Sequence, residues 1–105
     1  MDKKRYSVKS IVKNYIKALE SENIPVRQAI LFGSRVSGKY DRWSDIDIAI
    51  VSEVFEGDRF KDRGKIRKVT LAISSDLSPL PFRPEDFTID DPLVKEILAT
   101  GMRIV

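Results

Sequence analysis

Two aspartates one residue apart, Asp45 and Asp47 in "SDIDIAIV", follow the dipeptide Gly33-Ser34 across ten intervening residues. On an extended strand, carboxylates at i and i+2 leave the same face about 7 Å apart. Such a pair suits hard divalent cations, which in two-metal phosphoryl-transfer sites sit about 4 Å from each other and stabilise the attacking and leaving oxygens. A glycine ending a strand lets the backbone approach a phosphate closely. The amides that open a following short helix, with the Ser34 hydroxyl, then point at the anion. The chemistry this arrangement suggests is magnesium-assisted handling of a triphosphate, with Asp45 and Asp47 on the metals. The bland alternative, two solvated carboxylates on a half-exposed strand, fits poorly because Asp disfavours strands. Ser34 as a plain helix N-cap is compatible with phosphate binding.

The same region, "GSRVSGKY", imitates another phosphate loop. A P-loop needs G-x-x-x-x-G-K followed by Ser or Thr, whose hydroxyl ligates magnesium. Tyr40 stands there instead, and a phenol on a rigid arm cannot replace that short alcohol. The next apolar run also begins at Ser44, too soon for the dozen or more residues of a parallel crossover. The sequence thus argues against a P-loop, and the look of Lys39 is coincidence. Arg35 and Arg42 are candidate phosphate contacts or plain surface charges, and Tyr40 and Trp43 candidate stacking surfaces for a base, with packing under the loop the equal alternative for Trp43.

The rest of the composition narrows the chemistry further. The chain has no Cys and no His, which removes disulfides, zinc sites and every Ser-His or Cys-His mechanism. A length of 105 residues predicts one domain, 1–105, with a single core and room for one site. The formal charge of +3 is compatible with anionic ligands, and nucleic acid is not specifically indicated. No apolar run reaches the roughly 20 residues of a membrane span, and the basic N-terminus lacks the apolar segment of a signal peptide. The expectation is a cytoplasmic protein without membrane contact.

The elements that must position these residues are legible from periodicity. Val8, Ile11, Val12, Tyr15, Ile16 and Leu19 predict an amphipathic helix over 5–22, stopping near Asn23 and Pro25. Val26 to Phe32 reads as a buried strand ending at Gly33, a brief helix is expected from Ser34 to Gly38, and Ser44 to Val51 reads as a second strand. On that strand Asp45, Asp47 and Ala49 share one face and Ile46, Ile48 and Ile50 the other. Asp58 to Ile73 is predicted helical, with Gly64 a weak point and the run "DRFKDRGKIRK" supplying six basic residues, read first as a solvated face and second as a surface for an acidic partner or an RNA acceptor. The prolines of "DLSPLPFRPEDF" allow only an edge strand there. Asp90 or Asp91 is expected to cap a helix over Pro92 to Thr100, with Gly101 ending it and a last strand within Met102 to Val105.

With these residues in place, the run G33-S34-R35-V36-S37-G38 followed by S44-D45-I46-D47-I48 resembles the glycine-serine turn and Asp-x-Asp signature of the minimal nucleotidyltransferases of the DNA polymerase beta-like superfamily. The order of elements agrees with that family over most of the chain. The resemblance implies an α/β (α+β) fold, a small mixed sheet with helices packed on one face and the site at the strand ends. It implies transfer of a nucleoside monophosphate from a nucleoside triphosphate, ATP by expectation, to an acceptor hydroxyl, with Mg2+ as cofactor. Gly33, Ser34, Arg35, Arg42 and Ser44 are the implied nucleotide-binding residues, and Asp45 and Asp47 the catalytic and metal-binding ones.

The family usually carries a third carboxylate on the following strand. Anchoring on "RPEDF" places Ser78 at that position, with Asp76 two residues earlier at the same parity, so Asp76 is the candidate third catalytic residue. The resemblance further implies an antitoxin whose acceptor or partner is a helical HEPN-type toxin. The alternative, motivated by Ser78, is a catalytically weak nucleotide-binding module that neutralises a partner by binding, through its basic helix and the edge strand near Pro79.

Overall fold

The apolar stripe of the first helix decides how the chain starts to fold. Helix α1 spans Val8–Ser21 and buries Val12, Tyr15, Ile16 and Leu19. It ends in a Schellman motif: the Ile24 amide donates to the Leu19 carbonyl at 3.0 Å and the Asn23 amide to the Glu20 carbonyl at 3.1 Å. Asn23 takes the required left-handed conformation, φ 65°, which Asn tolerates better than most residues. Pro25 follows and cannot continue the helix. The computed structural model describes residues 8–33 and 45–105, so the expected brief helix at 34–38, with residues 5–7 and Ser44, lies outside the described residues.

Strand β1, Gln28–Phe32, and strand β2, Ile46–Val51, pair antiparallel, with Phe32 opposite Asp47 and Gln28 opposite Val51. This pairing excludes the βαβ geometry of a P-loop. Helix α2, Arg59–Ile73, then carries the chain back so that β3, Leu77–Phe82, runs parallel to β2. Asp58 caps α2, its carboxylate accepting from the amides of Phe60 and Lys61 at 3.1 Å each. A 3-10 turn at Pro84–Asp86 leads to helix α3, Pro92–Thr100, capped by Asp91 and opened by proline. Strand β4, Met102–Arg103, closes on β1, giving a mixed sheet in the order β3-β2-β1-β4.

The prolines confirm β3 as an edge. The Ser52 amide donates to Phe82 and the Ile46 amide to Asp76, so the even-numbered backbone groups face β2 and the odd ones face outward. Pro79 and Pro81 occupy the outward register, where a missing amide costs no ladder bond.

Both faces of the sheet are covered. Ile46, Ile48 and Ile50 pack beneath α1 and α2 with Leu31, Leu77 and Ile66, the main core. The opposite face carries a smaller cluster in which Ile30, Ala49, Val51 and Phe82 meet Val94 and Ile97 of α3. Helices therefore extend beyond the single covered face anticipated from sequence, because α3 has its own buried stripe to satisfy. A buried hydrogen-bond chain ties α1 to α2. The Thr70 hydroxyl donates to the Ile66 carbonyl at 2.8 Å, so the Tyr15 phenol must donate to Thr70, at 2.6 Å. Burial pushes the Tyr15 phenol up to about 12. Among the described residues no helix is long and apolar enough to cross a membrane.

Candidate functional site

Gly33 and the two aspartates meet at one end of the β1–β2 pair. Gly33 follows Phe32 with φ 78°, a left-handed conformation that costs a side-chain-bearing residue about 1–2 kcal/mol. A side chain would also displace a neighbour: a Cβ there would overlap Oδ2 of Asp47 and sit 3.2 Å from its Cγ, so the carboxylate would have to move. The turn is thus folded directly onto the aspartate strand, and glycine makes the approach without backbone strain or displacement of Asp47.

Asp47 lies half-buried between Phe32 on β1 and Ser78 on β3, its register partners on the two sides. Asp45 precedes the strand and is exposed. Desolvation raises the Asp47 carboxyl above the ordinary carboxylate range, and the charge of Asp45 raises it further. Two carboxylates that crowd each other at a partly desolvated strand end offer oxygen donors of the kind magnesium takes beside water and phosphate, and a dication there would reverse the local electrostatics. The donor chemistry fits the metal.

The remaining predicted residues divide. Ser34, Arg35, Arg42 and Ser44 lie outside the described residues, as do Lys39, Tyr40 and Trp43. Asp76 stands in the exposed turn before β3. Its amide donates to the Ser74 hydroxyl at 3.1 Å and its carbonyl accepts from the Ile46 amide at 2.8 Å. Its backbone therefore supports the aspartate strand. Asp45, Asp47 and Asp76 do not converge, since among the described residues no three acidic side chains form a group able to hold a metal. The residue beside Asp47 is Ser78, half-buried.

One acidic residue escaped notice in the sequence. Asp62 is fully buried in the first turn of α2, where its carboxylate accepts from the amides of Glu56 at 2.8 Å and Gly57 at 3.0 Å. It fixes the β2–α2 connection at the end of the sheet away from Asp45. Embedded in six basic residues it reads as part of a solvated face, and its position in the first helical turn was the only signal. A cavity of about 590 Å³ lies at that same far end, beside Arg59, Phe82, Arg83 and Asp86. A groove of about 490 Å³ runs along α2 beside Pro79. Neither is lined by Asp45 or Asp47.

Residues 12–101 match the sequence model of the nucleotidyltransferase domain. Among solved structures, the chain resembles a toxin–antitoxin with AMP-PNP, at 25% identity and TM-score 0.64 over 94% of this chain and 73% of that one. It resembles a nucleotidyltransferase candidate from Sulfolobus solfataricus at 25% identity and TM-score 0.55, over 73% of this chain and 68% of that one. A mutant of the toxin–antitoxin MntA-HpeT shares the fold, with 24% identity and TM-score 0.61 over 89% and 71% of the respective chains. No curated protein matches significantly.

Proposed function

The chain belongs to the nucleotidyltransferase domain family, and on that premise we propose that it transfers a nucleoside monophosphate from ATP, with magnesium, to a hydroxyl on a helical HEPN-type partner protein, as the antitoxin of a pair. The observation that carries this reading is the packing of Gly33 onto Asp47, with Asp45 two residues earlier, just before the same strand. The backbone at Gly33 comes up against the carboxylate of Asp47 with no side chain between, which suits a metal-bound triphosphate. Gly33 and Ser34, with Arg35, Arg42 and Ser44, are the proposed triphosphate contacts, and Asp45 and Asp47 the proposed metal ligands. Magnesium, when bound, would neutralise the phosphate charge and stabilise the oxygens exchanged at phosphorus. Asp45 and Asp47 hold and orient; Gly33 keeps the phosphates close to them.

The likeness to a toxin–antitoxin with AMP-PNP supports ATP and a protein partner. The proposed third group is the carboxylate of Asp76, which would have to leave its exposed turn to take the proton of the acceptor hydroxyl. Ser78 in the register beside Asp47 favours a second reading: a nucleotide-binding module that neutralises its partner by binding alone. Incubation with α-labelled ATP, magnesium and a HEPN-type partner separates the two. Label on the partner, lost in Asp45→Asn/Asp47→Asn, is the expected result. Full neutralisation of the partner by the double variant, without label, would establish the binding-only module.

A further inference from the structure

Gly64 sits in the middle of α2 without a reason among the described residues. Its φ is not positive, and a Cβ added there meets nothing within 4 Å. Alanine would fit and would make the better helix. What Gly64 does is flatten the floor of the groove along α2. Phe60, Gly64, Arg67 and Leu71, spaced i, i+4, i+7 and i+11, share one helical face about 16 Å long. Phe60 is 88% exposed at one end of that face and Leu71 57% at the other. The lining is cationic: Arg67 lies on that face, Lys61 and Arg63 flank it, and among the described residues no acidic side chain lines the groove. Lys61 and Arg67 form no ion pair with any described residue.

The edge strand beside this groove is closed to strand addition. Pro79 presents no amide outward, and its outward carbonyl already accepts from Arg63 Nε at 3.1 Å. A partner must therefore dock by side chains against the helix. The geometry points to α2 as the seat of an acidic amphipathic helix from a partner protein, its apolar stripe laid across Gly64 between Phe60 and Leu71 and its Asp or Glu residues facing Lys61 and Arg67. Helices approach closely over glycine, which is what this position would supply. The apolar ends of the face favour a protein over RNA as occupant. This deepens the proposed function by naming a surface and a partner chemistry, and rests on that reading only for the existence of a protein partner.

The test uses the full chain and three defined probes: a fluorescein-labelled 18-residue helical peptide with leucines on one face flanked by glutamates, its twin with lysines in place of the glutamates, and a single-stranded RNA 20-mer. The glutamate peptide is expected to bind saturably, with amide shifts confined to α2 and β3, and the lysine twin at least tenfold more weakly. Arg67→Glu should weaken the glutamate peptide at least tenfold. Gly64→Ala should raise the melting temperature yet weaken binding at least threefold, a combination that a purely structural glycine does not give. No saturable binding up to 1 mM, equal binding of the lysine twin, wild-type binding by Gly64→Ala, or tighter RNA binding at the same amides would each overturn the proposal. Peptide binding without nucleotidyl transfer would defeat the enzymatic reading and leave this one standing; transfer without peptide binding would do the reverse.

Discussion

The α-carbon of Gly33 is packed so closely on the carboxylate of Asp47 that a side chain at this position would push the carboxylate aside. The contact joins the end of one central strand to the start of its neighbour, and it makes Gly33→Ala a sensitive probe. That variant should lose about 1–2 kcal/mol from the left-handed backbone and displace Asp47. Urea denaturation should find the fold retained at reduced stability, while calorimetric titration with magnesium and ATP finds binding greatly weakened.

Asp47 gives a prediction with a definite sign. Its folded carboxyl lies above the ordinary value, chiefly by desolvation and then by Asp45, so its ionisation costs the metal-free fold stability as pH rises from the unfolded value through the folded one. Asp47→Asn should therefore be more stable than the wild type at pH 7 without metal, the gap shrinking as pH falls below the carboxylate range. The same variant should no longer be stabilised by magnesium with ATP. Thermal denaturation from pH 3 to 8, with and without both ligands, reads both effects.

The third position beside the aspartates can be assigned by exchange. Ser78 is the register partner of Asp47, so Ser78→Asp should tighten magnesium binding and speed any transfer. If Asp76 takes the acceptor proton, Asp76→Ala should abolish label transfer while magnesium-nucleotide affinity stays within about twofold. If it serves only through its backbone, both should persist.

The clamp between α1 and α2 predicts a non-additive pair. Tyr15→Phe removes one buried hydrogen bond and should cost about 1 kcal/mol. Thr70→Val leaves the buried phenol without an acceptor and should cost about 1–3 kcal/mol. The double variant should be more stable than the sum of the two losses, because no polar group is left orphaned on either side. Guanidinium denaturation of the four proteins closes the cycle.

Most elements were legible because their reasons are local. The period of Val12, Tyr15, Ile16 and Leu19 defined α1, the prolines marked β3 as an edge, and Asp58, Asp91 and Gly101 bounded their helices within a residue or two. Gly33 and Asp47 were legible as a motif, though their contact was not, since it depends on the register that sets Phe32 opposite Asp47. Asp62 and Arg63 were not legible. Their partners, the amides of Glu56 and Gly57 and the carbonyl of Pro79, are backbone groups, which carry no side-chain signature. For the same reason the second covered face was missed: the stripe of α3 is visible in sequence, but the sheet face it chooses is not.

The strand order β3-β2-β1-β4 places the hairpin of β1 and β2 at the centre, with both outer strands added to it. In hydrogen exchange the amides of this pair should open only with global unfolding, while β4, two residues long and exposed, frays freely. Gly33, Asp45 and Asp47 all belong to the central pair or its immediate ends. The chain can therefore breathe at either margin of its sheet while the distance between turn and carboxylates is held by the pair that opens last.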